Sequence, residues 1–110
     1  MPLPNADRAI IASEKLTRYL LTASHKRGGT KSRLLLGLGY RLDNPEALEA
    51  DLRAQHLSLD STRTTQNTYG VTFEIDGPIT TPVGKTVRFC SIWQIDTGSD
   101  VPRFITMYPR

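Results

Sequence analysis

The chain has 110 residues with a single cysteine, two histidines and a net charge of +3; 38% of its residues are hydrophobic and 23% charged. That is the length of one domain, and one cysteine with two histidines allows neither an internal disulfide nor the usual four-ligand structural zinc site. No apolar run approaches the roughly 20 residues of a bilayer span, and Met1 to Ile11 lacks the basic start and long apolar stretch of a secretory signal.

In chain order, Met1 to Ala12 carries Pro2, Pro4 and Asn5 before a short apolar Ala9-Ile10-Ile11, which suits either an edge strand or an ordered arm. Ser13 is placed to cap a first helix, Glu14 suits its positive start, and Leu16, Tyr19 and Leu20 recur at helical spacing up to Thr22 or Ala23. Ser24 to Gly29 reads as a loop. Thr30 is expected to cap a second helix built on Leu34, Leu35 and Leu38, with Gly39 ending it in a left-handed conformation. Asn44-Pro45 marks a third start, with proline at the first helical position and Leu48 and Leu52 on one face through about Gln55.

Beyond His56 the period changes to alternation by twos. The threonine-rich stretch Leu57 to Thr68 reads as a strand, with Tyr69-Gly70 as its turn. Val71, Phe73 and Ile75 then oppose Thr72, Glu74 and Asp76 until Gly77-Pro78 interrupts the run. After the Pro82-Val83-Gly84 turn, Lys85 to Ile95 sets Val87, Phe89, Trp93 and Ile95 against Arg88, Cys90 and Gln94, with Ile92 the exception. Pro102 to Tyr108 makes a final strand, on which spacing puts Phe104, Thr106 and Tyr108 on one face. The expected fold is α+β, a single domain over residues 1–110. Short N-terminal helices (about 13–56) pack on one face of an antiparallel sheet of about four strands (about 57–108).

Charge is unevenly distributed. Between Glu14 and Asp43 there is no carboxylate, while Lys15, Arg18, Lys26, Arg27, Lys31, Arg33 and Arg41 are all basic; from Leu57 to Arg110 five basic residues meet five acidic ones. A patch centred on His25-Lys26-Arg27-Gly28-Gly29-Thr30-Lys31 is either a solvated basic face or an attractor of phosphates. No dinucleotide fingerprint, phosphate-loop lysine motif, nucleophile elbow or histidine-pair zinc motif occurs, so neither a cofactor nor a metal is expected.

An imidazole able to take a proton near neutral pH, a lysine and a hydroxyl-rich sheet remain. Such a set can cleave a phosphodiester whose neighbouring 2′-hydroxyl attacks, which favours RNA over DNA. His25 also reads as an ordinary exposed loop residue, and His56 as a residue steadying the end of the third helix. Lys31 in a first helical turn opposes the helix dipole, which marks it as a functional candidate. Trp93 is expected in the core and Cys90 as an inert, semi-buried thiol. Tyr69 and Tyr108 suit either base stacking or sheet packing, and Thr106 either structure or phosphate binding.

The runs Lys15-Leu16-Thr17-Arg18-Tyr19-Leu20-Leu21, His25-Lys26-Arg27-Gly28-Gly29-Thr30-Lys31-Ser32 and Leu38-Gly39-Tyr40, continued by Tyr69-Gly70, Gly77-Pro78, Gly84-Lys85-Thr86, Trp93 and the segment Val101 to Pro109, resemble a small bacterial domain family of unknown function over nearly the whole chain. Its layout is similar in turn to the barnase, EndoU, colicin and RelE-like superfamily of metal-independent ribonucleases, many of them toxins of bacterial conflict systems. That likeness implies an endoribonuclease with His25 as general base or acid, Lys31 as stabiliser of the phosphate and transition state, and Thr106 as phosphate positioner. Arg88 and Arg103 are implied as supporting cations, with Lys26, Arg27, Arg33, Tyr69 and Tyr108 as further substrate contacts. It implies RNA as substrate, a cytoplasmic toxin, and a small acidic antitoxin or immunity protein as partner. A noncatalytic module binding nucleic acid or protein through the same patch is the alternative, and a scaffold pairing through a sheet edge is a third reading.

Overall fold

The computed structural model describes residues 3–17 and 34–110. Among these, helices α1 (Ser13–Lys15) and α2 (Pro45–Gln55) precede four strands, β1 (Arg63–Asn67), β2 (Gly70–Thr80), β3 (Thr86–Asp96) and β4 (Arg103–Pro109). The strands lie in sequence order as an antiparallel meander, so the architecture is the expected α+β arrangement. No described helix is long and apolar enough to cross a membrane.

The described N-terminal segment is an arm that bridges to the sheet at Ile10 and Arg103. Leu3, Ala9 and Ile11 are buried, while Ile10 N–H donates to Pro102 O at 2.9 Å and Ile10 O accepts from Phe104 N–H at 2.8 Å. Arg53 on α2 holds the arm from the other side, its Nη1 donating to Ala9 O at 2.9 Å. Ser13 does not cap α1. It is already helical, Ala12 occupies the cap position, and the Ser13 carbonyl takes the Thr17 hydroxyl at 3.1 Å. The expected end of that helix near Thr22 or Ala23, and the expected cap at Thr30, lie outside the described residues.

Residues 34–37 are helical and end as their glycine predicts. Gly39 has φ 102°; its N–H donates to Leu36 O and the Tyr40 N–H donates to Leu35 O, both at 3.1 Å, which closes the helix end on its last carbonyls. A Cβ there would come within 2.9 Å of Pro82 Cβ, because the helix end packs against the β2–β3 turn, where Val83 N–H donates to Leu38 O at 3.2 Å. The third helix starts at Pro45 and ends at Gln55, with Leu48 and Leu52 fully buried.

The strand expected over Leu57 to Thr68 is shorter, running only from Arg63 to Asn67, and two further strand expectations need correction. Gly77-Pro78 does not interrupt β2, which continues to Thr80. Pro78 faces Arg88, whose carbonyl accepts from Arg110 N–H at 2.9 Å and therefore points toward β4; the Pro78 backbone then points away from β3, to the side where β1 has already stopped pairing at Glu74. The missing proline N–H costs no ladder bond there. A Cβ at Gly77 would overlap Leu59 Cδ1, so a larger residue there requires the Leu59 side chain to shift.

The second correction concerns β4. Phe104 pairs with Trp93 and Thr106 with Ile92, so two steps on β4 match one on β3, leaving a bulge at Ile105. The bulge turns Phe104 toward the core and leaves Thr106 and Tyr108 on the opposite face. Phe104 therefore does not share a face with them, as strict alternation had suggested. It packs edge-on against Trp93, with ring centroids 5.3 Å apart.

The helices, the arm and the sheet's inner face form one core in which Leu16, Leu35, Leu48 and Leu52 meet Ile75, Ile79, Phe89, Trp93, Phe104 and Met107. His56 belongs to this interior and does more than steady a helix end. Its Nε2 lies 3.0 Å from Gly77 O and its Nδ1 2.6 Å from Ser91 Oγ, which also accepts from Trp93 Nε1 at 2.8 Å. A carbonyl only accepts, so Nε2 carries the proton, Nδ1 accepts from the Ser91 hydroxyl, and all polar atoms of the relay are satisfied in the neutral imidazole. Burial holds the His56 pKa below its ordinary value, partly offset by the Gly77 carbonyl and by Asp76.

Candidate functional site

Alternation places the described helices on one face of the sheet, and none of them covers the other. That outer face carries Arg63 and Thr65 from β1, Thr72, Glu74 and Asp76 from β2, Arg88, Cys90, Ile92 and Gln94 from β3, and Arg103, Thr106 and Tyr108 from β4. Cys90 lies at its centre, and its placement there is unlike the semi-buried position expected. The thiol is fully buried, with Sγ 3.8 Å from Glu74 Oε1 and Tyr108 directly across the ladder. The hydrogen bond to Cys90 raises the Tyr108 phenol above its ordinary value, with burial and the Glu74 carboxylate adding to the effect.

The arginines of this face pair with carboxylates, of which Asp76 and Glu74 are recessed beneath them. Asp76 receives Arg88 Nε at 2.7 Å on one oxygen and Arg110 Nε at 2.9 Å on the other. These contacts, Arg110 first, hold the Asp76 carboxyl below the usual carboxylate range. Arg63 stands 3.9 Å from Glu74. At the far end, Asp96 accepts Arg103 Nε at 2.7 Å and Arg103 Nη2 at 3.2 Å, which lowers the Asp96 pKa and raises that of Arg103.

The expected site residues distribute as follows. Thr106 and Tyr108 share the outer face with Arg88. Arg103 and Tyr69 sit at the opposite end of the sheet, since Arg103 pairs with Gln94 and the Tyr69 carbonyl accepts from Thr97 N–H at 2.9 Å. Arg88 and Gln94 are six positions apart on β3, about 20 Å, so the two arginines cannot contact one phosphate together. Tyr69 is largely exposed at the β1–β2 turn and does not pack against the sheet. His25, Lys26, Arg27, Lys31 and Arg33 lie outside the described residues.

The sequence reading missed Glu74, Asp76, Arg63 and Arg110 as members of a constellation. The signal was present in the outward alternation of Glu74 and Asp76 and the matching outward position of Arg88, but register was needed to bring Arg110 to the same carboxylate. Charge divides sharply along the chain. The described residues hold nine basic and eleven acidic side chains, a balance of −2, while residues 18–33 hold five basic and no acidic ones, +5, which together give the net +3.

The family described as "Domain of unknown function (DUF6883)" matches residues 2–110. The chain belongs to that family. No curated protein matches its sequence. Among solved structures, it is similar to a chain from the "Contact-dependent growth inhibition toxin - immunity protein complex from Klebsiella pneumoniae 342", with a TM-score of 0.73 and 20% identity over 92% of this chain and 99% of that one. At that identity the likeness establishes a shared fold, helices on one face of the same kind of sheet.

Proposed function

We propose that the chain is a toxin-like domain that cleaves RNA in the cytoplasm without a metal and is neutralised by a small acidic immunity or antitoxin protein. The observation that carries this reading is the near-complete structural overlap with a chain of a toxin–immunity complex. The confinement of the whole positive surplus to residues 18–33, around His25 and Lys31, adds a phosphate-attracting element.

In this reading the 2′-hydroxyl of RNA attacks the adjacent phosphorus, the 5′-oxygen leaves, and a cyclic phosphate forms. His25 takes or returns the proton, Lys31 offsets the charge that develops on the phosphorane oxygens, and Thr106 orients one of those oxygens. Thr106 lies on the face opposite α2, so the mechanism requires residues 18–33 to reach that face. Lys26, Arg27 and Arg33 supply the electrostatic attraction.

The deciding assay follows RNA cleavage in EDTA by wild type, His25→Ala and Lys31→Ala. The expected outcome is cleavage by the wild type alone, with each variant reduced by about 100-fold or more. Equal cleavage by all three would remove the site. Salt-sensitive RNA binding with no product would leave the noncatalytic module in its place.

A further inference from the structure

The geometry points to an oxyanion site on the face of the sheet opposite α2, formed by Arg88 and Arg110 on a shared Asp76 brace and suited to a phosphodiester of a single RNA strand. It deepens the RNA reading and rests on it for the identity of the strand.

Arg88 and Arg110 are adjacent across the ladder, Arg110 N–H donating to Arg88 O at 2.9 Å. Each binds Asp76 through Nε, at 2.7 and 2.9 Å, and each to a different oxygen. Among the described residues neither guanidinium spends its terminal Nη groups on a hydrogen bond, so four Nη atoms stay available while both planes are held. A free arginine would lose rotamer freedom on binding an anion, and the brace has already removed much of it.

Exposure reinforces the sign of the field. The Asp76 side chain is 15% exposed, against 62% for Arg88 and 51% for Arg110, so an approaching anion meets guanidinium before carboxylate. Arg63 over Glu74 extends the same arrangement, giving three cations to two carboxylates on this part of the face. Tyr108 lies two residues before Arg110 on the same side of the chain, about 7 Å along it. An aromatic ring beside cations that hold the backbone is the combination by which single-stranded nucleic acids are bound.

The test measures fluorescence anisotropy of the full chain with a 2′-O-methylated hexauridylate, which has no free 2′-hydroxyl to attack, and with hexaglutamate as the carboxylate comparison. Arg88→Ala and Arg110→Ala are each expected to weaken oligonucleotide binding about tenfold and to reduce the salt slope by about 0.7 per lost phosphate contact. Asp76→Asn is expected to weaken it as well, although it makes the protein more positive, because the forks lose their brace. Arg88→Lys and Arg110→Lys keep the charge and lose the planar fork, and are expected to fall several-fold; they serve as second variants if an alanine variant fails to melt cooperatively.

Arginine variants within twofold of wild type, or Asp76→Asn binding as tightly as wild type or more so, overturn the site. Hexaglutamate bound as tightly as the oligonucleotide overturns its assignment to RNA. A chain that binds the oligonucleotide through these arginines and never cleaves RNA supports this site while refuting the nuclease reading, so the two failures are separable.

Discussion

Ser91→Ala probes the buried relay with almost no change in volume. The hydroxyl serves His56 Nδ1 at 2.6 Å and Trp93 Nε1 at 2.8 Å, and all three side chains are fully buried. Alanine removes one atom, leaves little cavity and strands an imidazole acceptor and an indole donor inside the core. Each stranded group costs about 1–3 kcal/mol, and partial relaxation of the two rings brings the expected loss to about 2–4 kcal/mol. That is a large part of the roughly 5–15 kcal/mol available to a domain. Equilibrium urea denaturation followed by the single tryptophan reads it directly. With a slope of about 1–3 kcal/mol/M, the midpoint should fall by about 1 M or more at unchanged slope. A variant within about 0.5 kcal/mol of wild type, the range of an ordinary surface substitution, would refute the relay.

The same relay sets a pH dependence: His56 is depressed by burial, so its contribution is complete above the unfolded value near 6.5 and is lost as pH falls below it. Urea midpoints should decline as pH is lowered from about 6.5, and His56→Gln should flatten that decline; an unchanged profile would show that His56 is not the responsible group. Asp76 and Asp96 are also depressed, by Arg110 and Arg103 first, so a second, more acidic decline is expected below the ordinary carboxylate range, and Asp96→Asn should reduce it in pH-resolved melts. Gly70→Ala should destabilise by about 2 kcal/mol or more, because Gly70 has φ 144° and a Cβ would overlap the Ile95 carbonyl oxygen; a thermal midpoint equal to wild type would contradict the packing of the β1–β2 turn.

Most of the architecture was legible because local rules and tertiary context agree. Asn44-Pro45 starts α2 where the missing proline N–H is harmless, Gly39 ends a helical stretch in the conformation its lack of a Cβ allows, and period-two alternation located β2, β3 and β4 within a residue or two at most ends. The misreadings arose where a local signal depends on a distant partner. Pro78 reads as a strand breaker unless β1 is known to end first. Strict alternation along β4 fails at Ile105 because a bulge is defined by two strands, and one strand's pattern does not contain it. His56 reads as a helix-end residue until Gly77 and Ser91, 21 and 35 residues away, are brought to its ring nitrogens.

The outer face was legible only in part for the same reason. Thr106, Tyr108 and Arg88 could be assigned to strands, but the carboxylates that fix the arginines could not, since the Asp76 contacts span 12 residues to Arg88 and 34 to Arg110. This pairing changes what the charge census means. Exposed ion pairs contribute little to stability, so four arginines resting on three acidic side chains of one sheet are a poor device for holding the fold together. They are a good device for presenting oriented N–H donors with little net field. For the RNA partner proposed above, attraction over distance would come from residues 18–33, where five cations meet no acid, while Arg88 and Arg110 would act within contact range, inside a Debye length of about 8 Å. In the proposed reading, long-range capture by one segment and short-range orientation by another would divide the recognition of an anionic partner between two parts of the chain that composition alone would merge into a single figure of +3.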